Sequence, residues 1–185
     1  MLIQTILADL KAPVDPTRNS GLRLWAKALL KGAVAPSVHV VIAFRLSQVL
    51  YRSVLTRPFA FLLRTFTIVW GGTEIHPDAK IGPGLCLVHS HKVVIGEGVV
   101  IGSNARICHG VSIGGDMGRH DLFACPEIGD WVQIGMDAII MGPVKVGDHA
   151  QIGAQSLVVK DVPAHGVAAG SPARVLRIKD EAVVE

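Results

Sequence analysis

The chain has 185 residues, half of them hydrophobic and only 18% charged, with 20 glycines against nine aromatic side chains. That length holds one domain with a substantial core, and the balance excludes a mainly disordered chain. The formal net charge of +3 hides an asymmetry: residues 1–70 carry nine Lys/Arg and two Asp, whereas residues 71–185 carry nine Lys/Arg and thirteen Asp/Glu.

Along the N-terminal part, no acidic residue occurs between Asp15 and Glu74. A basic, apolar front end suits an anionic partner or a membrane face. The longest uncharged run, Gly32 to Phe44, contains Pro36 and His39 and falls short of the roughly 20 apolar residues of a transmembrane helix. No basic stretch followed by an apolar core marks a signal peptide. Cys86, Cys108 and Cys125 lack CxxC spacing and read as reduced thiols in a cytoplasmic protein. Residues 22–70 predict two or three helices, Leu22–Gly32, Val38–Val54 and Pro58–Trp70, punctuated by Pro36 and Pro58.

The pattern changes at Gly71-Gly72. Aliphatic side chains then recur every six positions: Ile75, Ile81, Leu87, then Ile95, Ile101, Ile107, Ile113, and after a gap Ile128, Ile134, Ile140, Val146, Ile152, Val158. A helix repeats at 3.6 and a simple strand at 2, so neither gives six. A fixed hexapeptide period predicts a parallel β-helix in which each short strand forms one side of a triangular coil. The fold class is thus mainly β, a parallel β-helix preceded by a short α-helical segment. The expected organisation is a helical segment over 1–72, the β-helix over 73–170 with an ejected loop at 114–127, and a C-terminal tail over 171–185.

Two breaks in the period mark where function is expected, since loops leaving a regular solenoid carry its chemistry. Leu87 to Ile95 spans eight residues around His89-Ser90-His91-Lys92, and Ile113 to Ile128 spans fifteen. The register predicts that His89 and His109 stack, with Met136 and Ala154 continuing the same column. At the usual strand spacing, His89 to Ala154 covers about 14 Å, the reach of an extended pantetheine arm.

EIHPDAKIGPGLCLVHSHKVVIGEGVVIG, GVSIGG and VPAHGVAAGSPARV resemble the hexapeptide-repeat acyltransferases, and within them the serine acetyltransferases. The likeness implies a left-handed β-helix, a homotrimer with active sites between subunits, acetyl-CoA as co-substrate, no metal, and O-acetylation of a small-molecule hydroxyl such as L-serine. Nucleic acid is not among the implied partners. It also implies His89 as general base and Glu74 as the acid orienting it, with coenzyme A along Gly115, Met136 and Ala154. Lys160 and Arg174 become candidate phosphate contacts, with surface charge as their bland reading. His109 is either a structural stacking partner or an acceptor contact. The family's Arg-His pair before the PxI segment falls on Ala124-Cys125, and Arg119-His120 in the loop are the candidates to replace it at the substrate. Val88 stands where the family has Asp.

A hydroxyl is a poor nucleophile, so its transfer needs a base of near-neutral pKa within hydrogen-bond reach. His89 suits that role, Glu74 fixes its tautomer, and a backbone N–H near Gly114-Gly115 suits an oxyanion. The changed substrate-facing groups leave a second reading, O-acetylation of a sugar or polysaccharide precursor, whose relatives share the GPGL and CPxIGD features. A remote third is a γ-carbonic-anhydrase-like zinc hydratase. Its downstream ligands are five residues apart, whereas His109 and His120 are eleven apart. The expected setting is cytoplasmic, with peripheral membrane contact through the basic N-terminal helices as an option.

Overall fold

The computed structural model describes residues 2–14, 21–115 and 124–179. Four helices come first: α1 (Leu2–Lys11), α2 (Gly21–Val34), α3 (Pro36–Tyr51) and α4 (Arg57–Gly71). Proline opens α3 and α4, where its missing N–H costs nothing. Gly72, at φ 59°, ends α4 and returns its N–H to Ile68. Helix α1 lies within the expected helical segment over 1–72, although the helices read individually from the sequence began at Leu22. Among the described residues no single helix is long and apolar enough to cross a membrane, and α2 and α3 bend by 84° at their junction.

From Glu74 the chain winds into coils of two- and three-residue strands. Strands β1 (Glu74–Ile75), β4 (Val94–Ile95), β7 (Ser112–Gly114), β10 (Ile139–Met141) and β13 (Leu157–Val158) stack in parallel as one face, called face 1. Face 2 stacks β2 (Lys80–Ile81), β5 (Val100–Ile101), β8 (Glu127–Ile128) and β11 (Lys145–Val146). Face 3 stacks β3 (Cys86–Leu87), β6 (Arg106–Ile107), β9 (Gln133–Ile134), β12 (Gln151–Ile152) and β14 (Gly166–Gly170). The result is a left-handed parallel β-helix.

The six-residue period is the interior of this prism. Ile95, Ile107, Ile134 and Ile140 are at most 1% exposed, while the residue before each points outward. A second buried residue two places earlier, Ala105, Val132 or Ala138 for example, fills the corner. The coils touch closely: a Cβ on Gly135 would lie 2.6 Å from the backbone nitrogen of Ala154. The two-residue excess falls after β3, so Leu87 pairs with Ile107, and Ile107 in turn with Ile134 and Ile152 follows.

The helices are tied to the first coil by buried polar contacts. Arg45 donates from Nε to Asp9 and from its two Nη atoms to the carbonyls of Ile81 and Gly82. Asp9 also accepts the N–H groups of Gly84 and Leu85. At the other end, residues 173–178 are not a tail. Gly170, at φ 104°, and Pro172 reverse the chain, and β15 (Ala173–Ile178) pairs antiparallel with β14. An aliphatic stretch directly after a Gly-Ser-Pro turn is the signal that reveals this hairpin.

Candidate active site

The edge where face 3 turns into face 1 carries the predicted column. His89 and His109 meet edge-on, with ring centroids 6.0 Å apart and planes at 65°. Met136 and Ala154 follow at equivalent places one and two coils further on, and both are exposed. His89 is exposed and His109 half-buried, so the imidazole pair faces outward. A hollow of about 410 Å³ on face 3 opens beside this edge, lined by Val88, Arg106, Cys108, Gly135 and Gly153. Arg174, in β15, lies at the far end of the same face.

The corner bearing His89 is held from behind by the segment leading into β1. The Thr73 hydroxyl donates to the Ser90 carbonyl, and Lys92 N–H donates to the Gly72 carbonyl. Glu74 follows immediately, yet its carboxylate is taken by the Arg64 guanidinium of α4 rather than by His89. Arg64 is a neighbour the sequence reading missed. Its only signal is a cation in the middle of the apolar helix preceding the IHP motif.

Gly115 and Lys160 are not in the histidine column. Both follow strands of face 1, β7 and β13, and so lie on the edge between faces 1 and 2. The reason is phase: they stand one hexapeptide out of step with His89 and Met136. A hollow of about 360 Å³ there is lined by Gly96, Glu97, Gly114, Gly115, Cys125 and Met141. Gly115 lies beside the Cys125 sulfur, which a Cβ at Gly115 would approach to 3.6 Å. The Cys125 thiol donates to the Glu97 carbonyl at 3.1 Å. Burial, then the charge of Glu97, raise its pKa, so it stays a thiol. Arg119 and His120 lie outside the described residues.

The solenoid thus carries imidazoles on one edge of face 1 and glycines with Cys125 on the other. This is the architecture of a hexapeptide-repeat acyltransferase. The family profile described as "Bacterial transferase hexapeptide (six repeats)" matches residues 126–160. The serine acetyltransferase of Helicobacter pylori is 38% identical over 144 residues, which cover 76% of this chain and 81% of that one. The crystal structure of serine acetyltransferase in complex with coenzyme A from Brucella abortus superposes with a TM-score of 0.83 at 32% identity, over 96% of this chain and 68% of that one. The chain belongs to the serine acetyltransferase family. It spans only 34% of a longer relative, Arabidopsis thaliana serine acetyltransferase 2, to which it is 44% identical over 110 residues covering 60% of this chain.

Proposed function

We propose that this protein is an acetyl-CoA-dependent O-acetyltransferase that moves the acetyl group directly to the hydroxyl of L-serine. The observation that carries the reading is the His89–His109 pair at the head of an open column continued by Met136 and Ala154. His89 takes the hydroxyl proton as the oxygen attacks the thioester carbonyl. The new C–O bond makes a tetrahedral oxyanion, whose collapse breaks the C–S bond. The imidazolium returns its proton to the departing thiolate, so no covalent enzyme intermediate forms.

Coenzyme A in this reading runs from His89 past Met136 and Ala154, with Arg174 near its phosphates. Gly115 and Lys160 belong to the other edge, and they join the same ligand only when a second copy presents its glycine-cysteine edge to this copy's imidazole edge. A closed homotrimer does this three times over. Glu74, which Arg64 holds in this structure, acts on His89 as a positioning acid once the acceptor is bound.

A second reading is favoured by Cys125, whose thiol is spent on Glu97 at the place where the family holds the amino-acid carboxylate. The acceptor would then be a sugar hydroxyl. Free-thiol release from acetyl-CoA, measured with L-serine and with a sugar panel for the native protein and His89→Ala, decides between them. Turnover of serine that is lost in the variant supports the proposal. Turnover only of a sugar moves the protein to glycan modification. No thiol release with either acceptor overturns both.

A further inference from the structure

A further cleft lies beneath the first two helices, on the other side of face 3 from the imidazole edge. It measures about 750 Å³ and is roofed by α1 and α2, including Leu7, Ala8 and Leu24. Its floor is the outer side of face 3 and the corner between faces 2 and 3, with Arg106, Trp131 and Gln133. That volume is within the range of small-molecule sites, which are mostly apolar with a few placed polar groups. Small side chains on the roof, Ala8 and Ala12, leave the space between helix and floor unfilled. Asp9, bonded to Gly84 N–H at 2.8 Å, clamps the two together at one end. The opening is therefore built into the docking of α1.

Trp131 is the unusual residue there. It occupies a left-handed corner position, φ 58°, in a column whose other non-glycine members are Asn104, His149 and His165. Asparagine and histidine are comparatively common at such positions, whereas a bulky ring is an outlier that invites a functional explanation. One face of the indole stacks on His149, with planes 4° apart, and His149 stacks on His165 at 5.0 Å and 5°. The ladder fixes the indole in orientation. Its remaining surface is open, the residue being 53% exposed, and it forms part of the cleft wall.

The charge of the cleft is one-sided. Lys11 and Arg106 line it and no acidic side chain does, among the described residues. Lys11 sits 4.0 Å over the Trp25 ring, whereas Arg106 is exposed and forms no ion pair within the described chain. A rigid indole surface beside an unneutralised guanidinium, under an aliphatic roof, selects a flat ring bearing a negative charge. We propose that the cleft beneath α1 is a binding site for an aromatic organic anion, its ring on the open face of Trp131 and its charged group at Arg106. The site does not use the imidazole pair, and it stands whether or not the chain acetylates serine. It shares Arg106 and Gln133 with the hollow beside the His109 edge.

The test is isothermal titration of the intact protein with 2-naphthoate, with decanoate and 2-naphthylmethanol as comparators. The naphthoate is expected to bind at one site per chain, at least about tenfold tighter than either comparator. Trp131→Asn, which restores a side chain suited to the left-handed corner, and Arg106→Gln should each weaken it by about tenfold or more. Ala8→Leu, which narrows the cleft from the roof, should weaken it through a different element. Saturating coenzyme A should leave it unchanged. Absence of naphthoate binding, decanoate binding as tightly, unchanged affinity in Trp131→Asn or Arg106→Gln, or displacement by coenzyme A would each overturn the assignment.

Discussion

The Asp9 carboxylate and the Arg45 guanidinium, 2.8 Å apart and almost wholly out of solvent, join the first helix to the third across the end of the solenoid. Neither partner is spare: Asp9 also receives two backbone N–H groups and Arg45 serves two backbone carbonyls. Removing one partner of a buried pair leaves the other charge uncompensated, which costs about 3–5 kcal/mol. Asp9→Ala is expected to lower the unfolding free energy by that amount. Asp9→Leu combined with Arg45→Met should cost less than the two single changes summed. Denaturant unfolding of the native protein, Asp9→Ala, Asp9→Leu, Arg45→Met and the double variant measures both.

His89→Ala should reduce kcat for acetyl transfer by about 100-fold or more, the usual worth of a positioned general base. His109→Gln, one coil away, should cost less and act mainly on KM for the acceptor. Equal losses in the two variants would show that the pair shares the proton chemistry.

Glu74 bound to Arg64 yields a sharper test. Glu74→Gln should lower kcat while leaving coenzyme A affinity unchanged. Arg64→Gln, by freeing the carboxylate, should leave kcat intact or raise it. A Glu74 with only a structural role would change unfolding but not kcat.

Burial holds the His76 imidazole below its ordinary value of 6.5, with Glu97 opposing and the Arg64 charge assisting. Its ring packs edge-on to Tyr51 and Phe61, and its Nδ1 accepts the Asp78 N–H. The unfolded chain therefore takes up a proton first as pH falls below 6.5, and stability declines until the folded protein titrates too. His76→Asn should flatten that part of the stability–pH curve, read by thermal unfolding across pH 5–8.

Gly135→Val places side-chain carbon against the backbone of the next coil, where a Cβ alone would approach the Ala154 nitrogen to 2.6 Å. Overpacking of this kind costs about 1–3 kcal/mol. The variant should melt earlier, and by prying apart the coils of Met136 and Ala154 it should weaken coenzyme A binding more than serine binding.

The solenoid was legible because its inward aliphatics repeat at a fixed period, so that register follows by counting. Counting also put His89, His109, Met136 and Ala154 on one edge. It did not place Gly115 and Lys160, whose roles were carried from a resemblance rather than from phase, and which the fold puts on the opposite edge. Glu74 was legible as a position but not as a contact, because Arg64 reaches it from a helix whose packing no local pattern encodes. The docking of helix α1 was hidden for the same reason. What recommends it is Asp9, which finds its partners 36 residues and more along the chain.

The reversed strand β15 has a consequence beyond closing the fold. A parallel coil ends in a row of unpaired amides and carbonyls, the kind of border that recruits a matching strand from another molecule. By turning back along β14, residues 173–178 fill that border on face 3 with the chain's own backbone and in the wrong direction for further winding. A scaffold that is in principle open-ended, to which coils add at no cost in pattern, is thereby given a fixed length and kept from growing into fibres.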